Sequence, residues 1–389
     1  MSLDARTPAP QFRMLQGSCA EDPFQFYSDV GAVPPFWSEI PGDIDGYWVV
    51  TRFEEIRKVL KDAQTFSSID ASIPHYDLEH PLLPTELDPP TVNKYRGILL
   101  PQMTADKIDP LEARMHTVAS DIVAGFRDRG HCDAVGDFAR VYPITIFVEF
   151  FGLPQDRREE FRQQAEMFLH APSRRAEAWN TIRGIVVEQL IAKRNEPQPD
   201  LLSAIGNGQI DGELIDLDDA TNLASTVFLG GLDTLPSNIA WSLRFLAWNA
   251  EHRRQIVADP SITRDAVEEF LRYFSVANPR RRATRDVELG GAMIRKDERI
   301  FVLISNGDRD AAEFGDARTV RFDRDTNRHL AFGGGPHRCL GSHLARHELV
   351  VALNEWHAQI PDYRVADGSV PSYQGGVLAM DTLELQWEI

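Results

Sequence analysis

The chain has 389 residues, of which 26% are charged and 43% are hydrophobic, as in a globular protein with a large core. Its formal net charge of −18 argues against nucleic acid or an anionic membrane as the main partner. No apolar run of about 18 residues is present to span a membrane, and residues 1–35 carry no secretory pattern. The three cysteines are far apart in sequence, which predicts no disulfide and favours a reducing, cytoplasmic location.

Helical patterns dominate the chain, and strand patterns are short. Residues 71–90 are proline-rich and predict a surface loop, after which Asp88 is expected to cap a helix with Pro90 in its first turn. We predict one domain over residues 1–389, mainly α with a minor β region. In chain order, the predicted elements are a strand at 47–51, helices at 53–62, 91–132, 137–151, 155–195, 218–250 and 263–274, a small sheet within 285–305, a helix after Cys339, and strands within 376–388.

A glycine-rich segment, Phe332-Gly-Gly-Gly-Pro-His-Arg-Cys-Leu-Gly341, carries the strongest functional signal. Glycine lets a backbone approach a flat ligand closely, and a following helix N-terminus lowers the pKa of a thiol. The pattern leaves four interpretations open. Cys339 is a core cysteine, a zinc ligand with His343 and His347, a nucleophile activated by His337, or the thiolate ligand of a haem iron.

A second unusual segment interrupts the apolar helix predicted at 218–250. Each of Gly230 and Gly231 costs about 1 kcal/mol inside a helix, and Pro236 costs about 3 kcal/mol, so the helix should open or kink here. An acid, Asp233, and an alcohol, Thr234, lie at the break. A packing kink would explain the glycines, but a polar pair in an apolar helix favours a ligand or proton-delivery site.

Two weaker patterns concern charged residues. Glu269 and Arg272 have the i,i+3 spacing of a helical ion pair, which is common and unspecific by itself. Arg96 and Arg281 are cations that either face solvent or clamp a carboxylate.

Together and in this order, these motifs resemble the cytochrome P450 superfamily of haem-thiolate monooxygenases, over essentially the whole chain. The resemblance implies a single triangular fold with haem b, and it displaces the zinc and nucleophile interpretations. The segment with Phe332, Gly333 and Gly341 would be the haem-binding loop, and Cys339 the axial iron ligand, whose electron donation favours O–O cleavage.

The same resemblance assigns the remaining motif residues. Asp233 and Thr234 would be catalytic and manage proton delivery during oxygen activation. Arg96, Arg281 and His337 would bind the haem propionates. Glu269 and Arg272 would be structural and brace the core on the haem side.

Within the superfamily, the chain is most similar to soluble bacterial camphor-hydroxylase-type enzymes, with which it shares Gly230-Gly-Leu-Asp-Thr234 and the framework of Leu83-Pro-Thr-x-Leu-Asp-Pro-Pro90. This implies a monomer that receives electrons from NADH through a ferredoxin reductase and a [2Fe–2S] ferredoxin. The ferredoxin would dock at the Cys339 face. Arg338, Lys94 and Arg328 are candidate contacts.

The expected reaction is hydroxylation of an apolar small molecule, such as a terpenoid or norisoprenoid ketone. His80 stands where the camphor enzyme has a tyrosine and is expected to donate to a substrate carbonyl, whereas Leu82 replaces an aromatic and leaves more room. Val92 replaces a polar propionate partner. The predicted substrate-binding residues are His80, Leu82, Thr85, Leu229, Gly230, Ala277 and Val377.

Three points stay open from the sequence. The charge partner of Asp233 is not identified, with His170 and Arg174 as candidates. A haem-thiolate peroxygenase or isomerase that needs no redox partner is an alternative enzyme. A non-enzymatic haem sensor is an alternative of a different class.

Overall fold

Helices form most of the fold and the strands form small sheets, which confirms the predicted fold class. The structure is a computed structural model that describes residues 12–39, 46–73 and 78–389, except for the side chains of residues 170 and 172. No helix in these residues is both long and apolar enough to cross a membrane. The helices are Pro23–Val30, Phe53–Lys61, Thr91–Leu99, Ala105–Ile108, Glu112–Ala124, Val141–Phe151, Arg158–His170, Arg175–Asn195, Leu201–Gly206, Leu217–Gly230, Thr234–Trp248, Ala250–Ala258, Thr263–Tyr273, Ile304–Gly307, Ala311–Phe314 and Ser342–Gln359.

The largest sheet has five strands, and its only parallel pair joins Gly46–Val50 to Arg299–Val302 within the described residues. Its strand order is Phe36–Glu39, Gly46–Val50, Arg299–Val302, Arg280–Ala283 and Phe66–Ser67. The smaller sheets are Ser18–Cys19 with Tyr373–Gln374 and Ala379–Met380, Arg364–Val365 with Glu384–Gln386 and His131–Asp133, Val287–Leu289 with Ala292–Ile294, and Gln209–Ile210 with Glu213–Leu214.

Two long predicted helices are divided in the structure. The segment 91–132 breaks into three helices around Pro101 and Pro110, and 155–195 breaks between Arg158–His170 and Arg175–Asn195. Proline lacks an N–H and disfavours the helical conformation of the residue before it. Pro101, Pro110 and Pro172 are the features of the sequence that mark these breaks.

The predicted cap at Asp88 is wrong. The helix begins at Thr91, is preceded by Pro90, and has no side-chain cap. The carboxylate of Asp88 instead accepts hydrogen bonds from the Ser68 backbone N–H at 2.9 Å and from the Ser67 hydroxyl. Asp88 therefore joins this loop to the edge strand of the five-stranded sheet.

The predicted pair Glu269 and Arg272 lies at the centre of a buried ion cluster. The two side chains are fully buried and form a bidentate contact, with N–O distances of 2.8 and 2.7 Å. Arg324 contacts both oxygens of Glu269 at 2.9 Å. Arg324 also pairs with Asp316 at 2.9 Å, so two carboxylates balance the two guanidinium groups. An unpaired charge would be strongly unfavourable in the core.

The ion cluster fixes the chain that leads to the glycine-rich loop. Arg272 donates to the backbone carbonyls of Asp308 at 2.7 Å and Ala317 at 2.8 Å. The buried carboxylate of Asp308 in turn accepts from the Leu330 backbone N–H at 2.7 Å, two residues before Phe332. Hence the position of the loop depends on this cluster.

We expect Glu269→Ala to lower the free energy of unfolding by about 3–5 kcal/mol, because the buried guanidinium group of Arg272 loses its counter-charge. Urea-induced unfolding followed by circular dichroism would measure it. Glu54→Ala is the matched control, since it removes an exposed i,i+3 partner of Arg57 and should change stability little. A loss for Glu269→Ala as small as that of the control would contradict the role of the cluster.

Candidate functional site

A cavity of about 540 Å³ is lined by both of the unusual segments found in the sequence. One part of its wall comes from the glycine-rich loop and the helix that follows, including Cys339 and Leu344. Another part comes from the central helices, including Gly230 and Thr234. The cavity therefore places a single thiol and a hydroxyl at a helix break around one space.

The glycine-rich loop is held by its own backbone and by the helix Phe53–Lys61. The N–H of Cys339 donates to the Phe332 carbonyl at 2.8 Å. Gly335 has a φ of +63°, and a Cβ on it would lie 2.3 Å from the backbone oxygen of Leu60. This glycine is therefore required by contact with protein backbone, and not by a flat ligand as the sequence predicted.

Cys339 is accessible to solvent and lines the cavity, and it lies deep among the surrounding protein atoms. Burial raises the pKa of Cys339, while the Gly341 backbone N–H and the charges of Arg96 and Arg338 act in the opposite direction. The expected lowering of this pKa is thus not observed for the free thiol. Coordination to a metal ion would deprotonate it outright.

The helix predicted at 218–250 is interrupted on the cavity. One helix ends at Gly230, the next begins at Thr234, and Asp233 lies just before it without a capping hydrogen bond. Pro236 is the third residue of the second helix. The N–H groups in the first turn of a helix have no intrahelical acceptor, so the missing N–H of this proline costs no helical hydrogen bond. The proline penalty expected for a helix interior is therefore avoided by the break.

The two neighbouring glycines at the break differ in the space that surrounds them. A Cβ on Gly231 would lie 2.4 Å from the ring of Phe147, so this position must stay small. A Cβ on Gly230 would meet nothing within 4 Å, although Gly230 lines the cavity. The hydroxyl of Thr234 lies 3.4 Å from the Gly230 carbonyl, which is a weak contact.

Arg96, Arg281 and His337 all line the cavity, as the sequence interpretation requires. Arg96 donates to the Arg338 carbonyl at 2.8 Å, and Arg281 donates to the Arg280 carbonyl at 2.7 Å. Within the described residues, neither guanidinium forms an ion pair with a carboxylate. Burial lowers the pKa of Arg281 to about 10, as expected for a cation without a close counter-charge.

His337 lies on the same cavity wall as this cationic group of two arginines. Its pKa falls to about 4, mainly through burial and further through Arg281 and Arg96, so the ring is neutral. The ring is hydrogen-bonded to the Leu87 backbone, and its Nε2 has no partner among the residues that the structure describes.

The donor set fits a haem. Two guanidinium groups suit a ligand with two carboxylates. A carboxylate placed beside Nε2 of His337 would favour the protonated ring, which could then donate to it. One thiol on the same cavity suits an iron that takes a single soft axial ligand. Val92 is fully buried and adds no polar group to this set.

The structure separates Cys339 from the histidines of the zinc interpretation. His343 and His347 turn towards Asp109, with Nε2–Oδ1 distances of 2.9 and 3.6 Å. The nucleophile interpretation also lacks support, because no hydrogen bond joins His337 to the thiol in the described part of the chain.

The predicted substrate contacts divide into two groups. Thr85, Gly230, Ala277 and Val377 line the cavity. The other three, His80, Leu82 and Leu229, are not among its lining residues.

The physical reasons for these three exceptions differ. His80 is drawn to Asp218, with an Nδ1–Oδ2 distance of 3.3 Å, and so is misplaced as a carbonyl donor to the cavity. Leu229 packs into the core. Leu82 packs against the core, and its backbone N–H donates to the Glu86 carboxylate at 2.9 Å.

Asn278 is a polar cavity residue that the sequence did not single out. It is 3% exposed, its Oδ1 accepts from the Ser305 N–H at 3.2 Å, and its Nδ2 has no acceptor among the described residues. Asn278 directly follows the predicted contact Ala277, and this position in the sequence could have indicated that Asn278 lies near the cavity. Glu348 also lines the cavity, and burial raises its pKa well above the usual range, which favours the neutral acid.

The remaining sequence predictions concern charged side chains. Arg174 contacts Glu177 at 2.7 Å, and the side chain of His170 lies outside the described residues, so neither is placed beside Asp233. Among the predicted ferredoxin contacts, Lys94 pairs with Asp211 and Arg328 pairs with Glu313. Arg338 is exposed, and no ion pair to it is found within the described part of the chain.

Known proteins resemble the chain in sequence. The family model described as Cytochrome P450 matches residues 255–356. A probable cytochrome P450 127A1 of Sinorhizobium fredii is 33% identical over 347 residues, which cover 88% of this chain and 84% of that protein. The mycinamicin IV hydroxylase/epoxidase of Micromonospora griseorubida is 30% identical over 373 residues, covering 90% of each chain.

Solved structures resemble it over nearly its whole length. The crystal structure of CYP101J2 covers 97% of this chain and 96% of its own, with a TM-score of 0.88 and 28% identity. The crystal structure of cytochrome P450 CYP101C1 covers 99% of both chains, with a TM-score of 0.89 and 26% identity. With the cysteine, the cationic group and the helix break on one cavity, these likenesses establish that the chain belongs to the cytochrome P450 family and is a haem-thiolate monooxygenase.

Proposed function

We propose that this monooxygenase hydroxylates an apolar small molecule that carries one carbonyl group, such as a terpenoid or norisoprenoid ketone. The observation that carries the proposal is the cavity, whose wall is mostly apolar and contains few polar groups. Such a lining selects a hydrophobic ligand and uses its few polar groups to orient it. When bound, a haem would supply the chemistry of O₂ activation and of oxygen insertion into the substrate.

We assign Cys339 as the axial ligand and Arg96, Arg281 and His337 as the propionate partners. Arg281 and His337 are buried or half-buried, so a carboxylate would recover interactions that water cannot provide there. The two arginines hold their positions through backbone carbonyls, which leaves further N–H groups for the ligand.

Thr234 and Asp233 are assigned to proton delivery. The helix break places the Thr234 hydroxyl on the cavity, and its contact with the Gly230 carbonyl is weak enough to exchange for a water or ligand. The carboxylate oxygen Oδ2 of Asp233 is buried one residue away. A hydroxyl and a carboxylate at one break can pass protons from the protein to the cavity.

We propose that the carbonyl of the substrate accepts a hydrogen bond from Asn278, in place of the predicted donor His80. Oδ1 of Asn278 accepts from the Ser305 N–H, and its Nδ2 is a buried donor without an acceptor among the described residues. A substrate carbonyl would supply that acceptor. Thr85, Gly230, Ala277 and Val377 would form part of the surrounding apolar wall.

We further propose that electrons come from NADH through a ferredoxin reductase and a [2Fe–2S] ferredoxin in a reducing compartment. Arg338 would contact the ferredoxin, whereas the ion pairs of Lys94 and Arg328 reduce their contribution. Turnover with ferredoxin, reductase and NADH tests this route. Turnover with peroxide alone would favour the peroxygenase alternative, and no turnover of any apolar ketone would favour the haem sensor.

For the ligand assignment, the ferrous carbon monoxide adduct of the protein is expected to show the strongly red-shifted Soret band of thiolate-ligated haem. Cys339→Ser should lose this band, since a hydroxyl is a much poorer donor to the iron. Cys19→Ser, which changes a half-buried thiol outside the cavity lining, is the matched control. A normal band in Cys339→Ser would overturn the assignment.

For proton delivery, Thr234→Ala should keep NADH consumption but convert most of it into hydrogen peroxide instead of product. The hydroxyl that passes protons is missing, while haem and substrate binding are retained. Thr226→Ala is the control, because Thr226 also lines the cavity and its hydroxyl donates to the Asn222 carbonyl at 2.9 Å. Equal product-to-NADH ratios in Thr234→Ala and the wild type would refute the role.

For substrate orientation, the wild type should bind a cyclic ketone more tightly than the hydrocarbon that lacks the carbonyl. Asn278→Leu should reduce this preference by about 5–10-fold, the value of one buried hydrogen bond of about 1–1.5 kcal/mol. The low- to high-spin shift of the haem measures both dissociation constants. His80→Ala should leave the preference unchanged, and an unchanged preference in Asn278→Leu would exclude this contact.

A further inference from the structure

A cluster of histidines and carboxylates lies outside the cavity lining and has no part in the proposed reaction. We infer that His343, His347 and Asp109 form a surface site for a divalent transition metal ion, with Zn²⁺ as the reference ion. One ligand atom from each residue can be chosen so that all three lie within 4.8 Å of one another. This site goes beyond the monooxygenase activity and does not depend on it.

The helix Ser342–Gln359 sets the spacing of the two imidazoles. His343 and His347 are four residues apart and therefore project from the same face of the helix. Their rings are T-shaped with centroids 4.6 Å apart. Two imidazoles at this separation on a rigid helix are suited to share one metal ion.

Asp109 supplies the third ligand from a neighbouring element. Its Oδ1 lies 2.9 Å from Nε2 of His343 and 3.6 Å from Nε2 of His347. A tetrahedral zinc ion with bonds of about 2.0–2.1 Å separates its ligand atoms by about 3.3 Å. Small rotations of exposed or half-exposed side chains would thus bring the three atoms to coordination distance, with water as a fourth ligand.

Glu112 provides the support that a metal-binding histidine usually has. Its Oε2 lies 3.3 Å from Nδ1 of His347, on the opposite side of the ring from Asp109. A proton held on Nδ1 by this carboxylate leaves Nε2 with a lone pair facing Asp109 and His343. In zinc proteins, a ligating histidine usually donates its other ring N–H to a carboxylate or another acceptor in this way.

A further histidine, His116, lies beside the supporting carboxylate of Glu112. His116 contacts Glu355 at 2.7 Å, and its Nε2 lies 4.0 Å from Oε1 of Glu112. The helices Glu112–Ala124 and Ser342–Gln359 pack directly against each other, so the groups are held on two rigid elements. An N₂O donor set of this kind suits Zn²⁺, Cu²⁺ or Ni²⁺ better than Mg²⁺ or Ca²⁺.

Isothermal titration of the haem-containing protein with Zn²⁺ tests the site directly. Glu112→Gln removes the supporting carboxylate and should raise the dissociation constant for Zn²⁺ by about 10–100-fold. His343→Ala and His347→Ala each remove a ligand and should weaken zinc binding more than Glu112→Gln does. His131→Ala removes an exposed histidine of a distant strand and should leave zinc binding unchanged.

The outcomes separate clearly. A graded loss in the three variants, with an unchanged Soret spectrum to show that each is folded, would support the site. Zinc binding that is the same in the wild type and both histidine variants would overturn it, because the ion would then bind elsewhere. Absence of zinc binding by the wild type would also overturn it. None of these measurements requires turnover, so they are independent of the proposed substrate and redox partner.

Discussion

The position of the glycine-rich loop depends on one buried carboxylate. Glu269 pairs with Arg272 in the core and also contacts Arg324, and the remaining N–H groups of Arg272 donate to backbone carbonyls of the segment that precedes the loop. Asp308, whose carbonyl receives one of these bonds, holds the N–H of Leu330. This charge cluster therefore helps to set the position of the segment that leads to Cys339, because Glu269, Arg272 and Asp308 are buried and their polar groups must be satisfied.

The wall of the cavity that the central helices form depends on a break in the backbone of the helix. The central helix cannot continue through Gly231 and Pro236, and the close contact of Gly231 with Phe147 keeps the break free of a side chain. The break in turn exposes the Thr234 hydroxyl to the cavity. The break makes the helix less stable than a continuous one would be, but it places the Thr234 hydroxyl on the cavity. Local conformations of this kind that cost stability are common at functional sites.

Some polar groups around the cavity lack a full set of protein partners among the described residues. Arg281 is left with donors that suit a carboxylate, and Asn278 is left with a donor that suits a carbonyl. Because an unsatisfied buried donor is costly, these groups define the chemistry of what must bind beside them. The apolar remainder of the wall sets only the approximate size and hydrophobicity of a substrate.

The sequence by itself determined the elements whose chemistry depends on near neighbours: the cysteine loop, the helix break at Asp233–Thr234 and the Glu269–Arg272 pair. Their spacing is local, so a linear pattern is sufficient to detect them. Only the tertiary structure decided that His80 pairs with Asp218 outside the cavity lining, that Asn278 lines it, and that His343 and His347 face Asp109 instead of Cys339. These outcomes depend on which elements pack together and on the direction of each side chain, and residues distant in sequence control both.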